Sequence, residues 1–178
     1  MKSQRLATLS CMLIAVVACS PAADDPSRAA SPQVPLATSM EADLEAIEAA
    51  AFDRFEAFQS APTPAAQADA YVQGVAADAV WMPPDAPLVS GRGAIRDWAE
   101  EYFSTWVLEI SASTDVKTVI SGDLAVRRWV SMGTLNSRDG GDAVPFHMKS
   151  VEVFSRLSDG SWVLSIRMWN SNNDQPDI

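Results

Sequence analysis

Val80 to Phe103 reads VWMPPDAPLVSGRGAIRDWAEEYF, and the order of its signals decides the fold. Val80-Trp81-Met82 is a short apolar run cut off by Pro83-Pro84, because two prolines neither donate to a strand ladder nor continue it. A turn at Gly91 to Gly93 follows, and Ile95, Trp98, Ala99, Tyr102 and Phe103 then recur at helical spacing. Upstream, Thr38 to Glu41 has the capping-box pattern ahead of Met40, Leu44, Ile47, Ala51, Phe55 and Phe58, which predicts an amphipathic helix beginning near Thr38. Thr63-Pro64 predicts the start of a second helix, carrying Tyr71, Val72 and Val75 and ending near Ala77. Downstream, residues 106–120, 123–137, 144–158 and 161–172 alternate apolar and polar, separated by Ser121-Gly122, by Arg138 to Gly141 and by Asp159-Gly160. The order α-α-β-α-β-β-β-β predicts an α+β domain over residues 38–176, a curved antiparallel sheet wrapped around three N-terminal helices.

The residues ahead of that domain read as an address. Met1 to Ser20 has a basic start at Lys2 and Arg5, an apolar core from Leu6 to Val17 and then small residues, the pattern of a removable secretory signal over residues 1–18. Val16-Val17-Ala18-Cys19 resembles the lipobox of bacterial lipoproteins, which implies acylation of Cys19. With Ser20 after the cysteine, the resemblance implies anchoring in the outer membrane, facing the periplasm. Residues 19–37, rich in Pro, Ala and Ser with no apolar period, read as a disordered tether. Cys11 leaves with the signal, so the remaining domain offers no thiol for a disulfide or a nucleophile. Removing Lys2 and Arg5 from 13 basic and 23 acidic side chains leaves a net charge of about −12. A surface that acidic argues against nucleic acid as a partner and leaves the lipid anchor as the contact with the membrane. One histidine, no thiol and no clustered carboxylates give no metal site, and no cofactor motif is present.

The segments ADAVWMPPDAPLVSGRGAIRDW and DGSWVLSIRMWNSNN, in this order of elements, resemble the SnoaL-like and ketosteroid-isomerase-like superfamily, the nuclear transport factor two-like fold. The resemblance spans about Met40 to Pro176. It implies a cone whose sheet wraps helices around an apolar pocket, often paired as a dimer, in a fold that hosts isomerases, hydratases and pure binding modules alike. The steroid isomerases of this superfamily use a carboxylate base with a tyrosine and a protonated acid as oxyanion hole. Their motif places Pro83 where the base belongs, Phe55 where the tyrosine belongs, and Ser150 or Lys149 where the acid belongs. On this reading the isomerase groups are absent. Asp85, in the loop beside Pro83, and His147 and Lys149 are the remaining candidates for proton transfer.

Parity along the strands gives the two sheet faces. Pairing the hairpins at their glycines sets Arg128 opposite Glu152 and Glu152 opposite Arg167, an exposed charge row on the outer face beside Phe146, Met148, Phe154 and Trp169. That apolar patch is the expected surface for a homodimer. Trp129, Val151, Val153, Leu157, Trp162, Leu164, Ile166 and Met168 then face the helices, with Arg127, Ser131, His147, Lys149 and Asn170. The expected pocket is lined by Trp81, Met82, Trp98 and Tyr102 together with Arg127, Trp129, Lys149 and Asn170, apolar walls with a few polar heads. Three functions stay open: a lipid-anchored binder of a small, partly apolar molecule; an isomerase- or hydratase-type enzyme using His147 or Lys149 with Arg127; and an interaction module with a filled core.

Overall fold

A computed structural model describes the chain from Leu36 to Asn172. The expected signal segment, Cys19 and the tether as far as residue 35 lie outside the described residues, as does the end of the domain beyond Asn172. Helix α1 (Leu36–Ser60) is followed by α2 (Pro64–Tyr71), β1 (Val75–Met82), a two-residue β2 (Val89–Ser90) and α3 (Arg92–Thr105). Four long strands complete the domain: β3 (Trp106–Ser121), β4 (Leu124–Ser137), β5 (Val144–Arg156) and β6 (Trp162–Ser171). They form one six-stranded sheet in the order β2-β1-β6-β5-β4-β3. β1 lies parallel to β6 and every other pair is antiparallel, so the expected antiparallel sheet is mixed. The architecture is an unclosed α+β cone.

Local chemistry accounts for most boundaries. The Thr63 hydroxyl accepts from the Ala66 amide at 3.2 Å, capping α2 with Pro64 in its first turn, as the sequence predicts. That helix ends at Tyr71 rather than near Ala77. Gly74, with φ of 66°, turns the chain at once into β1, so Val75 is a strand residue. α1 begins at Leu36, which puts Thr38 inside its first turn and the last two residues of the expected tether in the helix. Ile47, Ala51 and Phe58 of α1 are buried, whereas Met40 and Leu44, expected on the same stripe, are exposed. The core gathers Phe58, Tyr71 and Phe103: Phe58 stacks on Phe103 at 5.8 Å, and Tyr71 meets both rings edge-on.

The register differs from the expected one by a single residue, and in a sheet one residue exchanges the faces. Glu152 pairs with Arg127, not Arg128, and with Arg167 on the other side. Glu152 therefore points inward with Ser150 and Phe154, and Val151 and Val153 point out. A β-bulge adds a second change of parity. Phe154 is opposite Leu164 and Val153 opposite Ile166, leaving Ser165 as the extra residue, its hydroxyl 2.7 Å from that of Ser155. Trp162 and Leu164 face in on one side of the bulge, Arg167 and Trp169 on the other. Ile166 and Met168, expected inside, are exposed, and so is Leu157 beyond the end of β5. Phe146, Met148, Phe154 and Trp169, expected outside, belong to the interior, and the outer face instead carries Val126, Ile166 and Met168 along with Val151 and Val153. Arg127, Trp129 and Ser131 on β4, and Trp162 and Leu164 at the start of β6, face in as expected.

Candidate functional site

The cone encloses a cavity of about 110 Å³, partly open to solvent. By the measure in which one water needs roughly 10–15 Å³, it holds several waters or a molecule of one or two rings. Phe55 from α1, Trp98 and Tyr102 from α3, and Phe146, Met148 and Trp169 from the sheet form apolar walls. Trp98 stacks on Tyr102 at 5.5 Å and meets Trp169 edge-on at 5.7 Å. Burial pushes the Tyr102 hydroxyl up to about 12, so it is neutral at ordinary pH. Ser131, Ser150 and Trp129 border the same space.

Beneath these walls sits a buried ionic cluster. Glu152, only 1% exposed, accepts from Arg54 Nη2 at 3.0 Å on one oxygen and from Arg127 Nη1 at 3.1 Å on the other. Arg127 also donates through Nε to Glu48 at 3.0 Å, and Glu48 accepts from the Thr118 hydroxyl at 2.5 Å. The third guanidinium, Arg167, is 3.8 Å from the Glu152 carboxylate, beyond hydrogen-bond reach. It donates instead to the Tyr71 hydroxyl at 2.8 Å and lies among the rings of Tyr71, Trp129 and Trp169. Burial alone would raise the Glu152 carboxyl, but Arg54, Arg167 and Arg127 together outweigh it and hold the group below its ordinary range. Burial lowers Arg54 and Glu152 opposes that change; a guanidinium so paired stays charged.

Of the pocket residues expected from sequence, Trp98, Tyr102, Arg127 and Trp129 share this cavity. Trp81 does not line it: the ring is fully buried in the core, its Nε1 donating to the Tyr71 hydroxyl at 3.2 Å. Met82, Lys149 and Asn170 border a wider, shallower hollow with Pro83, Asp85 and Arg128, because the one-residue register difference turns Lys149 and Asn170 outward. His147 likewise faces away, with Nε2 3.0 Å from the Asn172 amide nitrogen. Asp85 is exposed with φ of 54°, the left-handed conformation of a turn-forming aspartate. His147, Lys149 and Arg127 thus do not converge on one space, and the proton-transfer set expected from them is not assembled. Of the positions aligned with the isomerase motif, Phe55 and Ser150 border the cavity and Pro83 borders the outer hollow. Among the described residues no cluster of three or more His, Cys, Asp or Glu could hold a metal ion, and no helix is long and apolar enough to cross a membrane.

Sequence reasoning missed Arg54, Tyr71, Glu152 and Arg167 as site residues. Arg54 carried a signal: it falls three residues after Ala51 and four before Phe58, on the buried stripe of α1, where a charge calls for a partner.

Comparison with known proteins places this architecture. No curated protein sequence matches the chain. Solved structures match over most of the domain. A ketosteroid isomerase-like protein from Erwinia carotovora atroseptica is 24% identical, with 74% of this chain and 97% of that one covered and a TM-score of 0.64. The structure of LinA, at 17% identity, covers 77% of this chain and 90% of its own with a TM-score of 0.65. An NTF2-like protein with a cystatin-like fold from Novosphingobium aromaticivorans is 14% identical over 78% and 88% of the two chains, with a TM-score of 0.58. At these identities the likeness is one of fold. The SnoaL-like domain model matches residues 44–165, from the third turn of α1 to the bulge of β6, and by that match the chain belongs to the SnoaL-like domain family.

Proposed function

We propose that this protein binds a small, partly apolar molecule in the cone cavity and is held in the bacterial cell envelope by an acylated Cys19. The observation that carries the binding reading is the cavity itself: a space of about 110 Å³ with aromatic walls and a few polar groups at its base, the make-up of a small-molecule site. An interaction module with a filled core would leave no such space. The likeness in fold to a ketosteroid isomerase-like protein supports an interior site but assigns no reaction, since one fold serves many functions. The anchor rests on Val16 to Cys19 and on the basic and apolar segments before it.

One experiment reads both parts. The full-length protein, extracted in mild detergent from the envelope of the cells that make it, is weighed intact by native mass spectrometry. The expected mass is that of a chain beginning at an acylated Cys19, with one non-covalent molecule of one- or two-ring size that dissociates on activation. An unacylated chain cleaved elsewhere would overturn the anchor. A bare chain, with no small molecule released on denaturation, would count against a retained ligand.

A further inference from the structure

The charges bordering the cavity do not cancel. Arg54, Arg127 and Arg167 face two carboxylates, those of Glu152 and of Glu48, and Tyr102 is neutral. One positive charge is left over. It falls on Arg167, because Arg54 and Arg127 hold the two Glu152 oxygens at 3.0 and 3.1 Å and Arg167 is left at 3.8 Å. Arg167 is 15% exposed and borders the cavity, while its Nε is buried with no hydrogen-bond partner. Beside it, the buried Trp129 Nε1 also has none, and the guanidinium carbon is 5.8 Å from the Trp129 ring centre. The Nε is the atom turned toward Glu152 and is shielded from the cavity, so it is the uncancelled charge of Arg167, on the wall of an open cavity, that calls for an acceptor arriving with a ligand.

Resting on the reading of the cavity as a small-molecule site, we infer that the ligand is a monoanion, an apolar body bearing one carboxylate-type head that pairs with Arg167 beside Trp129. A planar fork of donors suits a carboxylate, and the low-dielectric surroundings strengthen the pair. The rings of Phe55, Trp98 and Tyr102 then take the apolar body.

The test uses two probes of one shape, 2-naphthoate and 2-naphthamide, titrated calorimetrically into the full chain at pH 7. The naphthoate is expected to bind about tenfold more tightly or better, the scale of a hydrogen bond to a charged group. In Arg167→Met that preference is expected to vanish while the amide binds within about threefold of its wild-type affinity. Removing Arg167 leaves Glu152 with both of its short partners. Should the variant still fail to fold, the preference in the wild-type protein decides alone. Equal affinity for the two probes, or a preference that survives Arg167→Met, overturns the monoanion and leaves the cavity reading standing. Binding of neither probe overturns both.

Discussion

Replacing Glu152 by alanine is expected to cost about 3–5 kcal/mol of folding stability, the scale for removing one partner of a buried ion pair. The strand-pairing expectation drawn from sequence put Glu152 in an exposed ladder, where the loss would be about 1 kcal/mol or less. The difference is one of surroundings. With the side chain 1% exposed and two guanidiniums hydrogen-bonded to it, truncation leaves Arg54 and Arg127 buried without the shared counter-charge. Denaturant melts of wild type and Glu152→Ala measure it, and a loss near 1 kcal/mol would mean that the residue faces water after all.

The same group sets a pH dependence. Its folded pKa is depressed below the ordinary value of 4.5, so its stabilisation is fully present above that pH and is lost as pH falls through the folded pKa. The stability gap between wild type and Glu152→Gln is therefore expected to be constant from neutral pH down to about 4.5 and to close at more acid pH. A gap that widened on acidification would contradict the sign of the shift.

Trp81→Ala is the second large effect, about 3–5 kcal/mol for a tryptophan removed from a packed interior. Trp81 has no exposed surface and spends its one donor on Tyr71, which in turn holds Arg167. Trp98, half-buried against the cavity, has less packing to lose, so Trp98→Ala is expected to destabilise less. Melts of the two variants compare them directly. A larger loss from Trp98→Ala would return Trp81 to the pocket wall and place Trp98 in the core.

The elements themselves were legible because each boundary has a local chemical signal. Thr63-Pro64 caps α2, Gly91 opens α3 with φ of 90°, and the Gly122 and Gly160 turns separate the long strands. The faces of the sheet were not legible, because parity depends on counting across connections that carry no such signal. Residues 138–143 join β4 to β5, and one residue more or less in that loop exchanges Val151 for Glu152 on the interior. Hydrophobicity then pointed the wrong way: a face of Val151, Val153, Ile166 and Met168 is the greasier choice, yet the cone buries Glu152 and Arg167. What reverses that preference is mutual satisfaction. Glu152 is tolerable inside only because Arg54, from an element more than ninety residues earlier in the chain, reaches it, and no local pattern announces such a partner. The bulge at Ser165 was equally silent, since nothing in SWVLSIRMW breaks the alternation that it interrupts.

The most direct test of the cavity is to fill it. 1-Aminonaphthalene, a neutral two-ring fluorophore whose emission shifts to the blue in apolar surroundings, is titrated into the full chain and into Ser150→Phe, with Ser131→Leu as a second filled variant. Both serines border the space, and a larger side chain at either would occupy it. The expected result is saturable one-to-one binding in wild type and its loss in variants that melt within a few degrees of wild type, because filling an existing space does not overpack a core. Unchanged binding in a folded variant would place the fluorophore elsewhere, and filled variants that collapse in stability would show that the core has no room for a ligand.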